Sequence, residues 1–218
     1  MQNPKISIVI PTCNEKSSGY VAKIAREYPK RNDAQFIVVD WGSSPDILAL
    51  FDRSHFEVLS VEAQTRAERL NIGIERAQAD FILCHHPRSF LEFGAIEHLI
   101  ENKSQLLWGG FTHVFDHKHP GLLFTSWWSN NIRPRTTNVL YLDHCIFFRR
   151  KLLTSPIPNI PIFEDTELSY ILAESGGPPK ILPFSSTTSA IRFLKNGFLR
   201  QALLNQKLKW DFHRGRSS

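Results

Sequence analysis

The sequence predicts an α/β protein in which a mixed, mostly parallel β-sheet is flanked by helices. Short apolar runs rich in Val and Ile alternate with segments of helical spacing through the first half of the chain. Alternation of this kind sets consecutive strands parallel and places helices on both faces of the sheet. The chain has 218 residues, of which 42% are hydrophobic and 22% charged, which suffices for one domain with a sizeable core.

The elements of the first half are bounded by turn residues. The predicted strands are residues 6–12, 35–40, 56–61 and 80–86. The predicted helices are residues 17–28, 44–54 and 65–79. Ser44 is expected to cap the second helix, and Pro45 takes its first position. In sheets of this class ligands bind at the carboxyl ends of the strands, so three loops converge on one candidate site, at residues 11–15, 40–44 and 85–88.

The second half of the chain is less regular. Its predicted strands are residues 106–116 and 138–150, and an irregular link is expected over residues 126–137. A loop feeds a helix within residues 161–175, and a Pro-rich lead follows at residues 176–190. Three histidines and an Asp near the first of these strands lack a helical frame that would align them as metal ligands. We expect an exposed turn there, at His113, Asp116, His117 and His119.

The last segment of the chain is basic and amphipathic. After residue 191 seven Lys and Arg residues face one acid, Asp211, although the net charge of the whole chain is only +5. Apolar residues recur every three to five positions from Leu194 to Leu208, which predicts one or two amphipathic helices. Such helices dock on the core with their charged face in solvent, hold an anionic substrate, or lie on an anionic membrane surface.

Cysteine usage and hydropathy predict a cytoplasmic protein. Three widely spaced Cys residues give neither a disulfide framework nor a paired metal motif, which is typical of a reducing compartment. The first residues read as a short strand rather than a secretory signal, and no apolar stretch approaches the ~20 residues of a membrane span. Peripheral attachment to the inner membrane face is expected if the basic segment binds lipid. No nucleic-acid partner is expected, because no recognisable nucleic-acid module accompanies the basic residues.

Several motifs resemble those of the family 2 glycosyltransferases. The runs "SIVIPTCNE" and "IVVDWGSS" resemble the opening of that family, and later motifs resemble one bacterial subgroup of it. The later motifs contain Arg66, Ala67, Asn71 and Gly73; Arg135; Asp143, Arg149 and Arg150; Glu164, Asp165, Glu167 and Leu168; and "TSAIR" with Gly197 and Asn205. The likeness runs from about residue 6 to residue 210.

The resemblance implies a GT-A, Rossmann-like nucleotide-diphospho-sugar transferase fold and a UDP-linked sugar donor. One such domain then spans residues 1–218, with a nucleotide-binding half at 1–105, an acceptor half at 106–190 and a basic helix at 191–218. The resemblance places the nucleotide over the first two strand-end loops, at Pro11, Thr12, Asn14, Glu15, Asp40, Gly42, Ser43 and Arg66. Trp41, beside them, either stacks on the base or packs locally.

The resemblance also implies catalytic roles in the second half. Asp165, next to Glu164, matches the segment that supplies the general base in relatives. The alternative role for Asp165, or for Thr166, is to cap a helix. The residues expected to stabilise the leaving diphosphate are Arg66, Arg135 and His144. The residues expected to contact the acceptor are Asp143 and Trp127, the latter by stacking on a sugar ring.

The end of the fourth strand departs from the family. The subgroup has His-Ala-Asp there, and its Asp holds a divalent ion that bridges the diphosphate. This sequence has His85, His86 and Pro87 instead. Proline offers no carboxylate, whereas Mg²⁺ and Mn²⁺ prefer oxygen ligands. Three alternatives follow: the histidines rebuild a metal site, they bind a phosphate together with Arg88, or they pack beside an empty metal position.

Two functions therefore compete. The first is transfer of a sugar from a nucleotide-sugar donor to an unidentified glycan, lipid or small molecule, with a Mg²⁺ or Mn²⁺ cofactor or with none. The second is a catalytically lapsed protein that binds the nucleotide or nucleotide-sugar and regulates or scaffolds a partner, and loss of the metal carboxylate favours it. A nucleotidyltransferase is disfavoured, because no Gly-rich, Lys-containing phosphate loop follows the first strand.

Overall fold

The computed structural model describes residues 3–15, 19–28 and 32–216. Its strands are β1 (Ile6–Cys13), β2 (Ala34–Trp41), β3 (Phe56–Ser60), β4 (Phe81–Cys84), β5 (Ser89–Leu91), β6 (Trp108–Phe115), β7 (Ile146–Arg149) and β8 (Lys180–Thr188). Its helices are α1 (Gly19–Glu27), α2 (Pro45–Leu48), α3 (Arg66–Arg76), α4 (Ala95–Asn102), α5 (Pro120–Asn131), α6 (Arg133–Thr137), α7 (Glu164–Gly176), α8 (Ile191–Asn196) and α9 (Phe198–Arg216).

The strands of the described residues form one sheet in the order β3-β2-β1-β4-β7-β6-β8-β5. The first four in this order are parallel, β7 runs antiparallel to both of its neighbours, and β6 and β8 are parallel to each other. Because β4, β6 and β8 therefore run in the same direction, their carboxyl ends meet at one edge of the sheet. The α/β class and the mixed, mostly parallel sheet predicted from the sequence are confirmed.

Successive side chains of the central strand β1 point to opposite faces of the sheet and build two cores. Ile8 and Ile10 pack with residues of α1 and α4 on one face, whereas Val9 packs with residues of α3 and α7 on the other. On this second face, a Cβ atom added to Gly73 of α3 would be 2.2 Å from Val9 Cγ1. The glycine thus lets α3 approach the sheet closely, and the helix starts with Arg66 at the carboxyl edge.

The elements predicted for the first half are present but differ in length, and the sequence did not predict β5 or α4. The helix expected at 44–54 is limited to the four residues of α2, where Ser44 is extended and makes no side-chain capping hydrogen bond, while Pro45 takes the first position as predicted. The fourth strand ends before His85, which lies in the following loop. Residues 17 and 18 of the predicted first helix lie outside the described residues.

Two predictions for the second half are wrong. The link expected to be irregular at residues 126–137 is helical and forms the end of α5 and all of α6. Its Ser, Asn and Trp residues are poor helix formers. Packing overrides this preference, because α5 buries Leu122 and opens with Pro120 after a cap in which His119 accepts a hydrogen bond from the Gly121 N–H.

The second wrong prediction concerns the Pro-rich lead at residues 176–190, which contains strand β8. Proline is disfavoured inside a sheet because it cannot donate to the ladder. Here Pro183 lies at an irregularity, since the pairing with β6 passes from Leu182 directly to Ser185. The strand expected at 138–150 is also shorter, because a 3-10 turn precedes β7.

Candidate active site

A cavity of about 320 Å³ opens at the carboxyl edge of the sheet. It is lined by the ends of β6 and β8, the loop after β4, the first residues of α3 and α7, and the sides of α5, α8 and α9. Its basic lining residues are Arg66, Arg88, Arg133, Arg192 and Lys209. Its carboxylates and imidazoles are Asp143, Asp165, His86 and His113. Of the three strand-end loops predicted to converge on one site, the loop at residues 85–88 lines this cavity, through His86 and Arg88.

The two loops predicted to bind the nucleotide are tied together by Asp40. Its carboxylate accepts hydrogen bonds from the Thr12 hydroxyl at 2.7 Å and from the Ser43 N–H at 3.1 Å. The Ser43 hydroxyl accepts a hydrogen bond from the Glu15 N–H at 3.0 Å. Glu15 in turn forms an ion pair with Arg88 at 3.3 Å, which connects these loops to the cavity.

The other residues predicted for the nucleotide lie in the same loops. Asn14 and Gly42 have left-handed backbone conformations, with φ of 48° and 74°, and a Cβ atom on Gly42 would be 2.7 Å from Asn14 Oδ1. The Asn14 side chain is exposed, whereas Pro11 is buried within β1. The structure thus gathers these residues beside the cavity rather than in its lining, and their contacts with a nucleotide stay a prediction.

Arg66 connects the first and second halves of the chain at the cavity. Thr65 and Glu68 form a reciprocal capping box that fixes the start of α3 and places Arg66 in its first position. The guanidinium donates to the Glu164 carboxylate and, at 3.3 Å, to Oδ2 of Asp165, both in the first turn of α7. Residues that lie 98 and 99 positions apart in the sequence are therefore held together by charge.

Asp165 is buried and only half of its carboxylate has partners. Its Oδ2 also accepts a hydrogen bond from the Leu142 N–H at 3.0 Å, whereas its Oδ1 has no hydrogen-bond partner within the described chain. Burial and the neighbouring Glu164 carboxylate raise the pKa of Asp165 to about 6, although Arg66 opposes the shift. A carboxylate with this pKa and an unused oxygen is suited to accept a proton near neutral pH.

The capping role considered for Asp165 and Thr166 is not found. Helix α7 begins at Glu164, two residues earlier than a cap at Asp165 would give, and follows Phe163 in a left-handed conformation with φ of 66°. No side chain caps this helix start. Asp165 therefore lies inside the first turn, and its carboxylate contacts Arg66 and the cavity instead.

Asp143, His113 and His144 form a group beside α5. His113 Nε2 lies 3.5 Å from Asp143 Oδ2. His144 Nδ1 donates to the Phe111 carbonyl at 2.9 Å, so its Nε2 accepts from the Ser129 hydroxyl at 2.9 Å. Burial lowers the pKa of His144 to about 4 and also lowers that of His113, so both rings are neutral at pH 7.

Two predictions about these histidines are corrected by the structure. His144 is fully buried behind the cavity and neutral, so it lacks the positive charge on which a role at the leaving diphosphate depends. His113 lies buried in β6 rather than in an exposed turn, whereas His117 and His119 are exposed as expected.

The pKa of Asp143 is lowered to about 2. Burial alone would raise this pKa, but His113 and His144, which become protonated in acid, and the charge of Arg133 favour the ionised carboxylate.

Arg135 and Trp127 do not line the cavity. Arg135 is exposed on α6, and Trp127 is 51% exposed on α5, where its ring stacks on Phe124 at 5.9 Å between centroids. Arg133, two residues before Arg135, lines the cavity instead. Residues two apart on a helix do not share a face. Because this segment was predicted to be irregular, the sequence could not show that Arg133 and Arg135 lie on different faces of a helix.

The side chains of His85 and His86 do not converge. His85 is fully buried, and its Nε2 accepts a hydrogen bond from the Tyr28 hydroxyl. His86 lines the cavity, and its Nδ1 accepts one from the Arg88 N–H at 3.2 Å. The alternative of a metal site shared by His85 and His86 is therefore wrong. Within residues 3–15, 19–28 and 32–216, no three His, Cys, Asp or Glu side chains are grouped to hold a metal ion.

The sequence predicts one or two C-terminal helices, and the structure has two, α8 and α9, which form one side of the cavity. Arg192 of α8 and Lys209 of α9 line it, together with Gln201 and Asn205. Other positions of α9 expose apolar side chains, namely Leu199 (74%), Leu203 (71%) and Trp210 (65%). None of the helices in the described part of the chain combines the length and apolar character that crossing a membrane requires.

Comparison with known proteins finds similarity in structure but not in sequence. No protein-family model matches the chain, and no curated protein matches it. S. aureus TarS 1-349 in complex with UDP-GlcNAc matches with a TM-score of 0.64 at 14% identity, over 84% of this chain and 58% of that chain. Glucosyl-3-phosphoglycerate synthase from Mycobacterium tuberculosis, in complex with Mn²⁺, UDP and phosphoglyceric acid, matches with a TM-score of 0.55 at 18% identity, over 84% and 68%.

At these identities the matches establish the fold. The chain has the GT-A fold of nucleotide-sugar glycosyltransferases, as the resemblance implied. The same synthase in complex with Mg²⁺ and UDP matches with a TM-score of 0.54 at 17% identity. The chain spans less than two thirds of the TarS structures that it matches, at 58% and 60% of their lengths for two of them.

Arg66→Met is expected to lower the free energy of unfolding by about 3–5 kcal/mol, because the buried Glu164 and Asp165 carboxylates lose their cation. Arg76→Met, at the other end of α3, is the matched control, since its ion pair with Glu57 lies at the surface and contributes about 0–1 kcal/mol. Urea unfolding followed by circular dichroism measures both. Equal losses in the two variants would contradict the special role of Arg66.

Proposed function

We propose that the chain is a glycosyltransferase that moves a sugar from a UDP-linked donor to the hydroxyl group of an acceptor. The observation that carries this proposal is the buried Asp165 carboxylate, with its raised pKa and its unpartnered Oδ1, beside a cavity at the carboxyl edge of a GT-A sheet. The solved neighbours support the donor class, because one is bound to UDP-GlcNAc and another to UDP.

The donor nucleotide is proposed to lie across the two loops joined by Asp40. Thr12 and Ser43 make hydrogen bonds to Asp40, so they shape these loops. The side chain of Asn14 is exposed and, among the described residues, makes a hydrogen bond only to the neighbouring Cys13 Sγ, at 3.5 Å, so it is proposed to meet the base or ribose. The ion pair of Glu15 with Arg88 then directs the diphosphate from these loops into the cavity.

The charge of the diphosphate is proposed to be met by arginine side chains. The synthase neighbour contains Mg²⁺ or Mn²⁺, but the residues of this chain do not fit such an ion at the end of β4, where Pro87 has no carboxylate and His85 is turned into the core. Arg66, Arg88 and Arg192 line the cavity. Fixed positive groups of this kind stabilise negative charge that develops on a leaving group.

The three arginine side chains repel one another, although Arg66 and Arg88 have carboxylate partners. Burial and the positive charges of Arg88 and Arg66 lower the pKa of Arg192, although Glu15 opposes this shift. Three guanidinium groups held close to one another repel, and a bound diphosphate would relieve that repulsion. Arg135 and His144, which the resemblance suggested for this task, lie outside the cavity lining.

Asp165 is proposed as the base of an inverting transfer. Its Oδ1 takes the proton of the acceptor hydroxyl while the hydroxyl oxygen forms a bond to the anomeric carbon of the sugar. The bond from that carbon to the phosphate oxygen breaks, and UDP leaves with the electron pair. Arg66 and the Leu142 N–H hold Oδ2 and keep the carboxylate oriented, while Glu164 raises its pKa.

A catalytically lapsed nucleotide-binding protein is the second candidate, and Pro87 favours it. The departure from the family falls at the position where its members hold the metal ion. In this reading the loops at Asp40 and the arginine side chains still bind UDP, but no sugar is transferred. Nucleotide binding without any release of UDP from a nucleotide-sugar would distinguish this function from the first.

Asp165→Asn is expected to lower the rate of UDP release from UDP-sugars by about 10²–10⁴-fold, because it removes the proton acceptor while keeping the size of the side chain. The Kd of UDP, measured by calorimetry, is expected to change far less than the rate, since the loops at Asp40 and the cations Arg88 and Arg192 are unaltered and Arg66 keeps its contact with Glu164. Glu174→Gln, an exposed carboxylate later in α7, is the matched control. An unchanged rate in Asp165→Asn would exclude Asp165 as the base.

The rate of the wild-type chain is expected to rise as the pH rises through about 6. The base acts as the ionised carboxylate, and burial raises the pKa of Asp165 to about 6, so the group is protonated and inactive at lower pH. UDP release from UDP-GlcNAc with water as the acceptor, followed from pH 4.5 to 8, measures this limb. A rate limb near pH 4 would show that the carboxylate is not perturbed, and a limb that persists in Asp165→Asn would belong to another group.

An anionic membrane surface is proposed as a partner of the outer apolar surface, defined as Leu123, Phe124 and Trp127 of α5 with Leu199, Leu203 and Trp210 of α9. All six side chains are more than half exposed. The inner sides of both helices line the cavity, through Thr125 and Ser129 and through Gln201 and Asn205. Exposed basic residues of α9 accompany the surface, at Arg200 and Lys207. Apolar and basic groups together favour an anionic bilayer.

Replacing Leu199, Leu203 and Trp210 by Ser is expected to weaken binding to vesicles of phosphatidylglycerol and phosphatidylcholine by at least about tenfold, because the three side chains supply buried apolar area at the bilayer. The double variant Leu50→Ser, Leu107→Ser is the control, since it removes exposed apolar groups elsewhere. Vesicle sedimentation at low and high salt measures the binding. Equal binding of the triple variant and the control would contradict the proposal.

A further inference from the structure

Arg133 and Lys209 form a second cation group at the cavity, separate from the three arginines assigned to the diphosphate. The Arg133 guanidinium lies 3.8 Å from the centre of the Tyr141 ring, and the Lys209 ammonium lies 5.4 Å from it. Arg133 Nη1 is buried and has no hydrogen-bond partner within the described chain. Neither side chain takes part in the ion pairs formed among the described residues.

The two cations of this pair repel each other in a partly buried place. Burial and repulsion by Arg133 lower the pKa of Lys209, although Asp143 opposes the shift. Asp143 is a single carboxylate beside two cations, and it is also shared with His113, which lies 3.5 Å from its Oδ2. Its Oδ1 is buried and has no hydrogen-bond partner within the described chain. Two cations held together in a partly buried place are stabilised by a bound anion.

The cation pair lies next to the proposed base. Tyr141, whose ring both cations contact, directly precedes Leu142, and the Leu142 N–H donates to Asp165 Oδ2 at 3.0 Å. Arg133, Lys209, Tyr141 and Asp165 all line the same cavity. A ligand anchored between the two cations would therefore lie in the same cavity as Asp165.

We infer that the acceptor carries a phosphate or carboxylate group, and that this group binds between Arg133 and Lys209. A guanidinium and an ammonium both donate charge-assisted hydrogen bonds to oxyanions, and Arg133 Nη1 offers a donor that nothing else in the described chain uses. That the ligand is an acceptor rests on the proposed function. That an oxyanion binds at this place rests only on the geometry of the pair.

The donor diphosphate is the competing occupant of this place. It is assigned elsewhere because Arg88 is joined to the nucleotide loops through Glu15, and Arg192 lies close enough to Glu15 and Arg88 for both to affect its pKa. Arg133 and Lys209 lie against the ring of Tyr141 instead. The two cation groups thus supply separate places for the two anions of a transfer reaction.

The test uses glycerol 3-phosphate and inorganic phosphate as probes, titrated into the full chain by calorimetry with and without saturating UDP. Arg133→Met and Lys209→Met are each expected to weaken probe binding by at least about tenfold and to change the Kd of UDP by less than about twofold. Arg200→Met and Lys207→Met are the controls, because they remove exposed cations of α9 that do not line the cavity. Arg133→Lys, which keeps the charge, is expected to retain part of the binding.

Three outcomes would overturn the inference. The first is absence of probe binding to the wild-type chain, and the second is equal binding to the wild type and to both Met variants. The third is displacement of the probe by UDP together with a matching loss of UDP affinity in Arg133→Met, which would assign the pair to the donor. Circular dichroism of each variant identifies a loss of binding that comes from unfolding, and Arg133→Lys then decides.

Two further arms separate the source of the anion and the underlying function. If the anionic group belongs to a lipid, vesicles that contain phosphatidic acid are expected to compete with soluble glycerol 3-phosphate. Phosphatidylcholine vesicles are the control. If neither kind of vesicle competes, the acceptor is a soluble molecule. Failure of the proposed function would appear as absence of UDP binding and of UDP release, while probe binding that depends on Arg133 and Lys209 would still support the oxyanion site.

Discussion

The contact of Arg66 with the adjacent carboxylates of Glu164 and Asp165 is the constraint on which the site depends. Two carboxylates in one helical turn, both buried, repel each other and are poorly tolerated without a cation. The cation comes from the first position of α3, which is held against the sheet through Gly73. The distance of α3 from the sheet therefore decides where the guanidinium lies, and the guanidinium decides which oxygen of Asp165 remains unused.

The sequence was sufficient for the parts of the fold that depend on local pattern. Strand and helix alternation identified the first four strands and the carboxyl edge, and the motif around Arg66 and Asp165 identified residues that meet in space. It was not sufficient for α5, whose Ser, Asn and Trp residues form a helix only because the core and the His119 cap support it. Nor could it identify β8, whose proline is accommodated by an irregularity in pairing with β6.

The candidate site was predicted less completely than the fold, for an electrostatic reason. A histidine in a sequence has no assigned charge, and burial makes His85, His113 and His144 neutral in this structure. The roles expected for His85 and His144 required a shared metal ion or a positive charge, and neither arrangement is present. The cations that line the cavity also include Arg192, which lies in the "TSAIR" motif, and Lys209 of α9, and the sequence motifs assigned no role at the site to either residue.

The position of α9 has a consequence for how the chain can be divided. A terminal helix is usually regarded as an appendage that can be cut away while the rest of the protein keeps its properties. Here its inner side supplies Gln201, Asn205 and Lys209 to the cavity, while Leu199 and Trp210 project to the outside. A chain shortened before α9 would therefore lose both the cavity-lining side chains and the exposed apolar side chains of this helix. The two sides of α9 therefore have different roles. Single substitutions can change one side at a time, whereas truncation removes both.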